Sequence, residues 1–179
     1  LNTRGITTRI EHQHANTNTY YSGFAKTSIA LSSIGRKSSI ELVYSEQEQQ
    51  NTGFEKITIH YSPDGNKTKE ILHYTEPFIK SKGYWKSESY FDKSGMKSHE
   101  KFFMSEPYKR LENLEYIISY YDNSGVETKQ EGLFTKEQSE HQGFYKSVLY
   151  FQSGIKTKEE RFYIPNSLNG KGYHKGCRG

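Results

Sequence analysis

Residues 54–74 read FEKITIHYSPDGNKTKEILHY, two runs of β-forming residues on either side of Ser62-Pro63-Asp64-Gly65-Asn66. Proline followed by Asp-Gly suits a type I turn closed by a glycine in the left-handed region, and that connection joins antiparallel strands. The stretch therefore reads as a β-hairpin whose turn pairs Ser62 with Asn66. Counting outward, paired positions sum to 128, which sets Tyr61 against Lys67, Phe54 against Tyr74, Lys56 against Leu72 and Thr58 against Glu70.

The hairpin recurs along the chain. Turn glycines stand at Gly5, Gly35, Gly65, Gly95, Gly125 and Gly154, at spacings of 30, 30, 30, 30 and 29 residues. A second series, Gly23, Gly53, Gly83, Gly143 and Gly172, keeps the same period with Asn113 in the vacant place. Self-similarity at a fixed period is the signature of a repeat array. The short step, at FQSGIK in 151–156, reads as the loss of one turn residue, which leaves a two-residue loop and the flanking register intact. The chain divides into repeats 23–52, 53–82, 83–112, 113–142 and 143–171, with half-hairpins at 1–22 and 172–179.

The expected fold is all-β: an open, largely solvated antiparallel meander of about six 30-residue hairpins, with a closed barrel or a strand-exchanged fibre as alternatives. Between hairpins run TEPFIKSKG (75–83), SEPYKRLEN (105–113) and TKEQSEHQG (135–143). Pro77 and Pro107 mark loops or edges there, and apolar residues do not recur at helical spacing, so no helix is expected.

Applying one pairing rule to every unit gives columns. At the outer ends stand Phe24/Tyr44, Phe54/Tyr74, Tyr84/Met104, Leu114/Phe134 and Phe144/Tyr163. Beside the turns stand Leu31/Lys37, Tyr61/Lys67, Phe91/Lys97 and Phe151/Lys156, with Tyr121/Glu127 the exception. An ammonium lying along its partner ring contributes ~0.5 kcal/mol at an exposed site. Lys26, Lys56, Lys86 and Lys146, extended by Lys175, form another column, and Ser38, Thr68, Ser98, Thr128 and Thr157 a further one. A parallel solenoid would stack such lysines about 4.8 Å apart, whereas a meander separates them by two strands. Residues 83–104 offer no continuous apolar face, while Ile57, Ile59, Ile71, Ile117 and Ile118 make the flanking hairpins more apolar. A core is expected at one end or through a partner.

Composition narrows the function classes. The chain has 15 Tyr, 10 Phe and 1 Trp within a hydrophobic fraction of 32%, so aliphatic core material is scarce. A net charge of +4, with acidic residues interspersed on the same strands, disfavours a nucleic-acid partner. Cys177 is the single cysteine, so neither an intrachain disulfide nor a cysteine zinc site forms within one chain. No apolar run reaches the ~20 residues of a membrane span. The chain begins at Leu1 rather than Met, which points to a processed chain or a fragment; an extracellular or cell-surface location is expected, with the cytoplasm as the alternative.

The units GYWKSESYFDKSGMKS (83–98) and GFYKSVLYFQSGIKTKEERFY (143–163) resemble the hairpin repeats of MORN-like proteins, whose bacterial members include antitoxins. In that family Gly, aromatic and Tyr-x-x-x-Gly positions mark successive hairpins of an open meander, and the resemblance implies such a meander and a partner-binding role of the antitoxin or immunity type. The same units look like cell-wall and glucan-binding repeats, whose aromatic hairpins hold sugars.

No phosphate-cradling loop, nucleophile elbow or metalloprotease motif is present, and no catalytic, cofactor or metal residues are assigned. His12 and His14 share a strand face without a third ligand at suitable spacing, and Glu88 and Glu100 form a carboxylate pair that reads as charge relieved by neighbouring lysines. The candidate binding surface is Tyr84, Trp85, Lys86, Lys56 and Lys146; the candidate assembly strands carry Ile6, Ile10, Tyr173 and Lys175; Cys177 is a candidate crosslink. The expected role is that of a non-enzymatic structural or binding repeat, associating with itself or another protein, or with polysaccharide.

Overall fold

The computed structural model describes residues 7–14, 23–164 and 176–178. The chain forms two compact units, Leu1–Gly95 and Met96–Gly179. The first contains β1 (Arg9–Gln13), β2 (Phe24–Leu31), β3 (Lys37–Tyr44), α1 (Glu46–Thr52), β4 (Phe54–Tyr61), β5 (Lys67–Tyr74), α2 (Glu76–Lys82) and β6 (Tyr84–Phe91). The second contains β7 (Lys97–Met104), α3 (Glu106–Glu112), β8 (Leu114–Tyr121), β9 (Glu127–Phe134), α4 (Lys136–Gln142), β10 (Phe144–Gln152), β11 (Ile155–Tyr163) and β12 (Gly176–Arg178). In each unit the strands pair antiparallel in chain order, β1 to β6 and β7 to β12, and neither order closes. The fold is the expected open antiparallel meander.

The turns follow their sequence. The Ser62 N–H donates to the Asn66 carbonyl at 2.8 Å and the Gly65 N–H to the Ser62 carbonyl at 2.9 Å, with Gly65 at φ 87°. At the short step Gln152 pairs with Ile155 across Ser153 (φ 52°) and Gly154 (φ 76°), the two positive φ values of a tight two-residue hairpin turn.

The links between hairpins overturn the expectation of no helix. Each holds a seven-residue helix entered through Ser45, Thr75, Ser105 or Thr135 and ended by Gly53, Gly83, Asn113 or Gly143 in the left-handed conformation. The Ser45 and Thr135 hydroxyls accept from the Glu48 and Gln138 N–H groups. Pro77 and Pro107 occupy the first turns of α2 and α3, where a missing N–H costs nothing. Gly53, Gly83 and Gly143 of the second glycine series, and Asn113 in its vacant place, are thus helix caps. A helix under two turns long shows no period, so its ends were the available signal.

The register corrects a second expectation. Phe54 faces Tyr74 and Tyr61 faces Lys67, but between them Lys56 faces His73, Thr58 faces Ile71 and Ile59 faces Glu70. One extra residue on each strand, Glu55 and Thr68, moves the central register by one and returns it at the turn. Ala25 and Ser38, Glu115 and Thr128, and Tyr145 and Thr157 repeat the arrangement in the other paired hairpins. Ser38, Thr68, Thr128 and Thr157 of the Ser/Thr column are therefore bulge residues. Their hydroxyls donate to carbonyls of the facing strand: Ser38 to Ala30 at 3.1 Å, Thr68 to His60 at 3.3 Å, Thr128 to Tyr120 at 3.3 Å and Thr157 to Tyr150 at 3.2 Å. Thr68→Val should cost about 0.5–1 kcal/mol in urea denaturation, and Thr68→Ser, which keeps the hydroxyl, less than half of that.

Bulging also changes which residues share a face. Residues three apart on a regular strand point oppositely, yet Lys67 reaches Glu70 at 3.1 Å and Lys156 reaches Glu159 at 3.3 Å across the inserted threonine. The cations beside the turns lie over rings of the following hairpin rather than over their own register partners. Lys37 sits 4.0 Å from the Tyr61 ring centre, Lys67 3.8 Å from Phe91 and, in the second unit, Lys97 4.5 Å from Tyr121. These contacts stitch hairpin to hairpin.

At the helix end of the first unit, the rings of Phe24, Tyr44, Phe54, Tyr74 and Tyr84 follow one another across β2 to β6 at 4.9, 5.9, 5.6 and 5.1 Å. Phe78 of α2 stacks on Tyr74 at 4.6 Å and 9°. In the second unit Phe134, Phe144 and Tyr163 continue at 5.0 and 6.0 Å. Such pairs contribute about 0.5–1.5 kcal/mol each beyond their burial. Tyr74, Met104, Phe144 and Val148 are the buried hydrophobic residues among those described, in keeping with a largely solvated sheet.

Candidate functional site

The shifted register sorts the first unit into two unlike faces. On one, Ile10 faces Ile29, Ile29 faces Ile40 and Ile40 faces Ile59, a row of isoleucines across β1 to β4. Beside it Leu42 faces Ile57 and Ile57 faces Leu72. The apolar surface stops at β6, where Ser87 and Ser89 occupy the matching positions opposite Leu72 and Glu70. Ser87 is buried and shares a 2.8 Å hydrogen bond with the Tyr74 hydroxyl. The helices of this unit touch β3, β4 and β6, and the aliphatic rows remain half-buried.

The opposite face carries the lysine column. Lys26 lies 3.3 Å from Glu11, Lys56 3.2 Å from Glu41 and Lys86 2.9 Å from Glu88. In the second unit Lys146 lies 3.7 Å from Glu131. His73 stands between Lys56 and Lys86 in register. Burial, then the charges of Lys56 and Lys86, hold its imidazole below the ordinary histidine value. Lys26, Lys56, Lys86 and Lys146 each already have a counter-ion.

Glu88 is the centre of that face. It is 8% exposed and takes Lys86 at 2.9 Å, Lys69 at 2.8 Å and the Tyr90 hydroxyl at 2.7 Å. Burial alone would push the carboxyl up, but the hydrogen bonds from Lys69, Lys86 and Tyr90 and the Lys69 charge hold it down to about 2. Glu100, in the second unit, is held by Lys97 at 2.7 Å. Both carboxylates are thus engaged in ion pairs.

The candidate residues lie in both units, Tyr84, Trp85, Lys86 and Lys56 in the first and Lys146 in the second. Tyr84 belongs to the ring cluster, 5.1 Å from Tyr74 and 5.8 Å from Phe78. Trp85 occupies the repeat position of the bulge residues Ala25, Glu55, Glu115 and Tyr145, is 40% exposed, and lies near His73 and Lys86. Of the assembly candidates, Ile10 is on β1, while Ile6, Tyr173 and Lys175 lie outside the described residues. Cys177 stands on β12, paired by register with Glu160. The His14 ring nitrogen Nε2 is 2.9 Å from the Thr27 hydroxyl, and among the described residues no three His, Cys, Asp or Glu side chains group as metal ligands.

A polar groove of about 680 Å³ lies in the second unit, with Glu106, Lys109, Arg110, Glu115, Gln138 and His141 among its walls. Lys109 bridges Glu115 at 2.9 Å and Glu106 at 3.0 Å, and those carboxylates raise its ammonium above the ordinary lysine value. The groove has no aromatic platform. Among the described residues no helix is long and apolar enough to cross a membrane.

The isoleucine row was invisible to a count that ignored bulges. The signal that could have revealed it is the repeated Lys-Ser/Thr-x-Glu of 67–70, 97–100 and 156–159, a spacing that pairs charges only when a residue is inserted. No known protein family matches the sequence, and no curated protein matches it.

Proposed function

We propose that the chain is a non-enzymatic binding repeat protein that takes a protein partner on the aliphatic face of its first unit. The observation that carries the reading is the pair of adjoining rows, Ile10, Ile29, Ile40, Ile59 and Leu42, Ile57, Leu72, which the described helices leave half-buried or exposed. At ~4.8 Å between strands and ~6.8 Å between rows the seven-residue patch measures roughly 230 Å². That is about a third of what one partner contributes to a standard interface of ~800 Å² per side, the size of an apolar centre within a polar rim. The resemblance to MORN-like repeats points the same way, toward a partner of the antitoxin or immunity kind. A glycan reading has less support, because Tyr84 is built into the ring cluster.

Self-association is a second reading, favoured by the exposed strand β1. The primary reading is tested by replacing Ile29, Ile40 and Ile59 together with threonine, which preserves β-propensity while removing the apolar row. The variant should keep its circular dichroism, lose binding of a hydrophobic dye, and fail to retain a stoichiometric protein recovered with the wild type. A folded triple variant that retains that protein at wild-type stoichiometry overturns the proposal.

A further inference from the structure

We propose that β1 is a self-pairing edge: two copies of the chain join antiparallel through β1 about a two-fold axis at Ile10, setting Ile10 against the partner's Ile10 and Arg9 against the partner's Glu11. The inference deepens the self-associating reading above and rests on it, not on the aliphatic face taking a foreign partner.

Backbone phase comes first. The Leu31 N–H donates to the Thr8 carbonyl at 2.8 Å and the His14 N–H to the Ala25 carbonyl at 3.0 Å, with Ile10 opposite Ile29. These bonds turn the backbone groups of Thr8, Ile10, His12 and His14 toward β2, so Arg9, Glu11 and Gln13 turn theirs outward. Among the described residues no strand pairs with that outer edge, and β1 is exposed along its length. An edge of this kind is a template for another strand.

A second β1 must then match outward-facing residues with outward-facing residues, which leaves few registers. An axis at Arg9 opposes two arginines, and an axis at Glu11 opposes two glutamates; like charges directly across a ladder are destabilising. An axis at His12 sets Glu11 against Gln13 and wastes both charges. The axis at Ile10 forms two Arg9–Glu11 pairs on one face and places the isoleucines in a narrow site on the other. Charge complementarity and the apolar row select the same register independently: Ile59, Ile40, Ile29, Ile10 would continue without a break into the second copy. Glu11 already gathers Arg9 and Lys26, at 2.6 and 3.3 Å, so Lys26 remains when Arg9 reaches across.

The test uses the full chain in sedimentation velocity. The wild type should show a concentration-dependent monomer–dimer equilibrium. Arg9→Glu and Glu11→Arg should each weaken it by about tenfold or more, and an equimolar mixture of the two should restore it as a heterodimer. In a Cys177→Ser background, Ile10→Cys should oxidise to a linked dimer and Glu11→Cys should not. A wild type that stays monomeric at its highest soluble concentration, no rescue in the mixture, or preferential linkage at position 11 overturns the proposal. Partner retention by a monomeric wild type would leave the aliphatic-face reading standing.

Discussion

Gly53→Ala should lower the stability of the first unit by about 2–5 kcal/mol, while Gly65→Ala should cost about half as much or less. Both glycines have positive φ, 77° and 87°, so both substitutions force a methyl group into the left-handed region at ~1–2 kcal/mol. They differ in their surroundings. Nothing lies within 4 Å of a Cβ built at Gly65, whereas one built at Gly53 would lie 2.4 Å from Cδ2 of Phe78. That ring cannot step aside freely, because it stacks on Tyr74 and stands near Phe54 and Tyr84. Overpacking of this kind adds about 1–3 kcal/mol.

Gly53 also ends α1, its N–H bonding the Gln49 carbonyl at 2.9 Å, and its own carbonyl accepts from the Thr75 N–H at 2.9 Å. One residue thus joins a helix cap, a strand end and the seat for the next repeat's helix. Trp85, the single tryptophan, lies in the first unit, so its fluorescence in urea reads this unit directly. Equal losses for the two glycine variants would show that Phe78 does not seat against Gly53.

That contrast locates what the sequence made legible. Turn glycines, hairpins and outer ring couples could be read because the chemistry that sets them is local: Asp-Gly fixes a turn, and a turn fixes its nearest pairs. The middle of each hairpin could not be read by counting alone, because Glu55 and Thr68 each insert a residue, and the sequence marks the insertion only indirectly, through the Lys-Thr-x-Glu charge spacing. Counting without them set Thr58 against Glu70 and scattered the isoleucines; counting with them sets Ile59 against Glu70 and aligns the row from Ile10. The four helices among the described residues escape such a reading for a different reason. Seven residues give no period, and their evidence lay in Ser or Thr at one end, an acid or proline in the first turn, and Gly or Asn at the other. Trp85 looks singular as a side chain, yet it occupies the repeat position of Ala25, Glu55, Glu115 and Tyr145.

Glu88 should dominate the acid response of the first unit, and Glu88→Gln should flatten it. The folded carboxyl is held at about 2 against an ordinary 4.5. A depressed acid contributes stability that is fully present above the unfolded value and is lost as pH falls through the folded one, so the window runs from pH 4.5 down to about 2. A shift of that size corresponds to ~3 kcal/mol, and water around the lysine heads reduces this to about 1–2 kcal/mol. Glutamine keeps the shape and can still accept from Tyr90, but it removes the charge that Lys69 and Lys86 share. At neutral pH the variant should therefore be about 1–2 kcal/mol less stable than the wild type, with the gap closing toward pH 2. His73 acts at higher pH and in the same sense: its imidazole is depressed by burial and by Lys56 and Lys86, so protonating it below its ordinary value of 6.5 opposes folding in both proteins. The difference between wild type and variant isolates the carboxylate. Urea denaturation followed by Trp85 fluorescence at pH 7, 4.5 and 2.5 measures it, and parallel pH profiles for the two proteins would show that the lysine row does not depend on Glu88 as its counter-charge.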